Sequence, residues 1–104
     1  MKIIKLLSED IEQELDDAEK YAKLAIQYKE EYPEVARVFY GLSSVRMDGI
    51  KELHDQVVSL INNYKVVNGD PPAPMMSIYE YLHERHINQS VGVKKLQEMF
   101  KTNK

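Results

Sequence analysis

The chain has 104 residues, 43% of them hydrophobic and 30% charged, with no cysteine and no tryptophan. That length suits a single domain over residues 1–104, and the lack of thiols excludes a disulfide framework, a thiolate zinc site, an iron–sulfur cluster and a cysteine nucleophile. Fourteen Lys and Arg against seventeen Asp and Glu give a net charge of −3, so no nucleic-acid partner is expected, because such binding needs clustered cations.

The opening Met-Lys-Ile-Ile-Lys-Leu-Leu is too short an apolar run for a signal peptide and leads directly into acidic residues. No stretch approaches the roughly 18 uncharged residues of a membrane span, so the expected address is the cytoplasm, with no membrane contact. Only four Gly and four Pro occur, and the abundance of Leu, Glu, Lys, Ala, Met and Gln points to an all-α domain.

Tyr32-Pro33-Glu34 and Asn68-Gly69-Asp70-Pro71-Pro72-Ala73-Pro74 divide the chain into three segments. In the first, Ile4, Leu7, Ile11, Leu15, Ala18, Ala22 and Ala25 recur at three- and four-residue spacing, the mark of one helical stripe. This helix is expected over about 2–31, although Ser8-Glu9-Asp10 offers a second start, a serine cap followed by two acids. Pro33 fits the first turn of a second helix, expected over about 34–67, with Asn68-Gly69 as its stop. Its apolar positions, among them Val35, Val38, Leu42, Val45, Ile50, Leu53, Val57 and Ile61, form a face wide enough for two neighbours.

The third helix is expected over about 75–101, from Tyr79, Leu82, His86, Gln89, Val93, Leu96 and Phe100 at alternating three and four spacing. Ser77 with Glu80 has the form of a capping box at its start, and Asn88 to Gly92 is a weak point where a break is plausible. Helices one and two form an antiparallel hairpin some 45 Å long at about 1.5 Å per residue. Three such helices leave apolar stripe uncovered, so a homo-oligomer is expected to complete the bundle.

Nucleophile triads, phosphate loops and dinucleotide fingerprints are absent, which leaves carboxylates and histidines on helices as the carriers of any chemistry. Glu14 shares the inward arc of helix one with Ile11, Ala18, Tyr21 and Ala25. There it either reaches solvent at the edge of the stripe or requires a cation.

Glu14, Tyr21 and Ala25, then Ala36, Phe39 and Ser43 at inward positions of helix two, form one part of a wider pattern. The rest is the Leu53 to Val58 stretch, the Asn68-Gly69-Asp70-Pro71-Pro72 linker and the string Tyr79-Glu80-Tyr81-Leu82-His83. Over almost its whole length the chain resembles the short ferritin-like, rubrerythrin-related proteins of Gram-positive bacteria and their phages. The resemblance implies a ferritin-like bundle and a metal site closed by a first-helix Glu and a second-helix Glu-x-x-His. The matching second-helix positions here are Arg46 and Gly49, neither of which can ligate a metal. Asp48 lies about 100° around the helix and is a poor substitute.

Antiparallel pairing puts residues near 46 opposite 14 to 19, so Arg46 is expected to pair with Glu14 in place of a dinuclear centre; the competing arrangement has Arg46 in solvent and Glu14 hydrated. The expected function is then a non-enzymatic interaction protein, without a cofactor, that binds itself and leaves room for a host or partner protein. The acidic run Glu9, Asp10, Glu12, Asp16 and Asp17 could meet a basic partner or be an ordinary solvated face. The alternative is a metal-binding ferritin-like protein for iron storage or oxidation, or a zinc binder. Its ligands would be Glu14, His54, Glu80, His83 and His86, assembled across an oligomer interface. Tyr21, Tyr28, Tyr79 and Tyr81 read as packing residues before electron relays.

Overall fold

The computed structural model describes residues 2–102, and all of its regular structure is helical. Helix α1 spans Lys2–Tyr28, α2 spans Pro33–Asn68 and α3 spans Ala73–Thr102. They lie side by side in a rod of 56 × 18 × 18 Å. Glu14 meets Arg46 and Tyr21 meets Phe39, so α1 and α2 run antiparallel; Glu12 meets Arg85 and Asp16 meets Gln89, so α3 runs parallel to α1. Among the described residues no helix is long and apolar enough to cross a membrane.

The helix ends follow local chemistry. α1 runs from residue 2 straight past Ser8, which is buried in the helix interior and caps nothing. It stops at Tyr28, three residues before the expected end, because Pro33 drives Tyr32 out of the helical region, to φ −135° and ψ 71°. The N–H of Tyr32 bonds the Tyr28 carbonyl and the N–H of Ala36 bonds the Tyr32 carbonyl, both at 2.9 Å, which carries the backbone through the reversal. α2 ends at Gly69, whose φ of 77° suits glycine and whose N–H bonds the Lys65 carbonyl at 3.0 Å.

α3 starts two residues earlier than expected. The N–H groups of Met75 and Met76 both bond the Pro72 carbonyl, at 3.0 and 3.1 Å, and Pro74 sits in the first turn, where its missing N–H costs nothing. Ser77 is therefore already inside the helix and exposed, and the Ser77–Glu80 capping box is not what begins it. The helix continues unbroken through Asn88 to Gly92. Anchors hold the weak point: Gln89 within it donates to Asp16 at 2.8 Å, and Val93 just past it is fully buried.

The core changes character along the rod. Near the α1–α2 turn it consists of small residues, with Ala18, Ala22, Ala25, Ala36 and Ser43 all fully buried. Farther from the turn it consists of Ile4, Ile11, Leu15, Ile50, Val57 and Ile61, with Leu53, Leu60 and Tyr79 packed against them. Small side chains let the backbones approach, and Ser43 shows how closely. Its hydroxyl donates to the Ala18 carbonyl at 2.8 Å and accepts from the Gln97 amide at 2.9 Å, so one buried oxygen ties all three helices together.

Much of the wide α2 face expected to contact two neighbours is bare. Val35, Val38, Leu42 and Val45 are exposed, Val38 and Val45 to 63% and 64%, roughly 100° to 160° around α2 from the buried Ala36 and Ser43.

Candidate functional site

Glu14, Arg46 and Gly49 come together on the α1–α2 face. Antiparallel pairing sets the level, and the i, i+3 relation of 46 and 49 sets both on the side of α2 that faces Glu14. An Arg46 Nη lies 3.3 and 3.4 Å from the two oxygens of the Glu14 carboxylate, a long, forked hydrogen bond between opposite charges. The same carboxylate holds the Arg46 guanidinium pKa above its usual value, first through its charge and then through the hydrogen bond.

Glu14 sits at the edge of the apolar stripe, 25% exposed against 39% for Arg46, so the pair is half-solvated. A Cβ built on Gly49 would stand 3.9 Å from a Glu14 oxygen and meet nothing closer. A side chain at 49 would therefore start within ordinary contact distance of the carboxylate. The site is a carboxylate flanked by a guanidinium and by an open glycine. It offers a metal one donor group and a fixed positive charge, and it does not fit a dinuclear centre.

The second set of candidates converges lower on the rod, where α1, α2 and α3 meet. The His54 and His83 rings stack at 4.7 Å with 18° between planes, and Tyr79 stacks on His83 at 5.8 Å with 10° between planes. His86 lies one turn farther along α3 and is buried, 9% exposed. Burial lowers the His83 pKa, with the His54 charge adding to it. Burial also dominates at His86, where Glu12 acts in the opposite direction and Arg85 and the other two histidines add to the lowering.

The Nε2 atoms of His54 and His86 are buried and have no hydrogen-bond partner. The void bounded by the three histidines with Ser8, Ile11 and Tyr79 measures about 10 Å³, room for at most one water. Stacked imidazoles keep their lone pairs in nearly parallel planes, and among the described residues no three His, Asp or Glu converge as a metal would require. Glu80 is exposed and takes no part in the cluster. Asp48 lines an open groove of about 590 Å³ between α2 and α3, and His54, His83 and His86 line the same groove with Met47, Ile87 and Lys94.

The acidic run on α1 divides in a way its sequence does not reveal. Glu12 accepts from Arg85 at 3.0 Å and Asp16 accepts from Gln89 at 2.8 Å, so these two acids dock α3, while Asp17 accepts from Gln13 within its own helix. Glu9 and Asp10 are exposed. The tyrosines pack: Tyr21 stacks on Phe39 at 6.1 Å, Tyr28 meets Tyr32 at 6.2 Å, and Tyr81 lies under Arg85.

Gln97 and Gln89, which link α3 to the hairpin, carry no motif. Their signal is position alone, since amide side chains on the inward arc of a helix need partners. Comparison with protein-family models, with curated proteins and with solved structures finds no match for this chain.

Proposed function

We propose that the chain is a non-enzymatic, self-associating interaction protein built on a ferritin-like scaffold, in which the Arg46–Glu14 ion pair stands where a dinuclear metal site would be. One observation carries this reading. The Arg46 guanidinium lies 3.3 Å from Glu14 and the Gly49 position faces the same carboxylate, while α2 also carries an apolar stripe that is exposed among the described residues. Val35, Val38, Leu42 and Val45 are spaced three, four and three apart, the seam another helix packs against. A second copy offering the same stripe is the simplest cover. Glu9 and Asp10 are left free to face a basic surface on a different protein.

Iron titration of the purified protein, combined with its mass in solution, tests the reading. The expected outcome is an oligomer that takes up no stoichiometric iron, with Arg46→Glu plus Gly49→His gaining iron because two ligands then face Glu14. Two irons per chain in the unmodified protein would refute it.

A metal-binding reading has one observation in its favour, the unpartnered Nε2 atoms of His54 and His86. It requires His54 and His83 to turn out of their stack and His86 to turn toward them, with a carboxylate supplied by another copy. Zinc or iron content that falls on His86→Ala would establish it.

A further inference from the structure

We propose that the open end of the rod binds a long-chain carboxylate, one acyl chain with its anionic head. The site is a groove of about 580 Å³ where the N-termini of α1 and α3 meet the C-terminal part of α2. That volume falls within the range of small-molecule sites, about 300 to 1,000 Å³. Its walls are Ile61 and Tyr64 from α2, Pro71 from the linker, and Met75, Ile78 and Leu82 from α3. Ile78 is 63% exposed although it faces this concavity, so a large apolar side chain is left without cover.

Charge identifies the occupant. Among the described residues, the ionisable side chains besides tyrosine that line the groove are Lys2 and Lys5, one turn apart on α1, and no Asp or Glu lines it. Both lysines are exposed, so their ammonium groups sit at the rim, where they can meet an anionic head while the chain lies along the apolar walls. The parallel N-termini of α1 and α3 add the positive ends of two helix dipoles at this end of the rod. Pro71 and Pro72 hold the linker wall in one conformation, so little ordering is needed on binding.

The Val38–Val45 stripe lies on the other half of α2, so this site does not depend on self-association. A second copy would bring that stripe, which carries no counter-charge for the two lysines.

Calorimetric titration with dodecanoate, tetradecanoate and hexadecanoate below their micellar concentrations tests the proposal. Saturable binding of one chain per protein is expected, tightening by up to about fourfold per added methylene. Hexadecyltrimethylammonium should bind at least tenfold more weakly than hexadecanoate. The exposed double variant Lys2→Glu/Lys5→Glu should lose tenfold or more for hexadecanoate while keeping its affinity for hexadecanol, and Ile78→Glu should weaken both. Absence of saturable binding, equal affinity for the cationic and anionic chains, or binding unaltered by all three substitutions would overturn it.

Discussion

If the exposed α2 stripe is the seam of the proposed self-association, Val38→Ala together with Val45→Ala should dissociate it while leaving the chain folded. Each substitution deletes two carbons, worth about 0.8 kcal/mol per buried methylene, and a partner would cover the roughly two-thirds of each valine that is open, so each site contributes about 1 kcal/mol. Two sites in each of two copies bring the loss to about 4 kcal/mol, close to a thousandfold in the dimer dissociation constant. The folded monomer loses little, because neither valine is in the core and alanine is the better helix former. Sedimentation velocity over a concentration series, with circular dichroism on the same samples, measures both quantities. An unchanged mass distribution, or helix loss in step with dissociation, would refute the assignment of the stripe as the interface.

Ser43→Ala removes the hydroxyl that joins three helices and leaves the Gln97 amide without its partner, a loss of about 1 to 2 kcal/mol. Thermal unfolding should register it as a drop of about 5 °C or more; a midpoint shift under about 2 °C would show that the node contributes nothing. Gly69→Ala places a Cβ at φ 77° and should cost about 1 kcal/mol, visible as an earlier urea midpoint with an unchanged slope.

Acid should destabilise the fold through the histidines. His83 and His86 have lowered pKa values, so the unfolded chain binds protons more readily and stability falls as pH drops below about 6.5 toward their folded-state values. Unfolding midpoints at pH 7.5 and 5.5 should differ in that direction, with a smaller difference in His86→Phe. A midpoint that rises on acidification would contradict the lowering.

The hairpin and its register were legible because they rest on short-range rules. Pro33 and Gly69 mark helix ends through backbone geometry, and the three- and four-residue spacing of Ile11, Leu15, Ala18 and Ala22 is a property of the helix itself. The Glu14–Arg46 contact follows from that register, since a known turn fixes which residues face each other. The tertiary consequences were less legible. Nothing local distinguishes Glu12 and Asp16, which dock α3, from Glu9 and Asp10, which remain in solvent. The start of α3 is set by Pro72 and Pro74, ahead of the weaker Ser77 signal. The groove at the open end arises from how three helix ends diverge, a distance that no spacing rule contains.

The most direct test is a crystal of the protein grown with excess manganese and measured at the metal's absorption edge. Arg46 is expected within hydrogen-bonding distance of the Glu14 carboxylate, with no anomalous peak beside it. A peak coordinated by Glu14, with the Arg46 side chain rotated toward solvent, would contradict it.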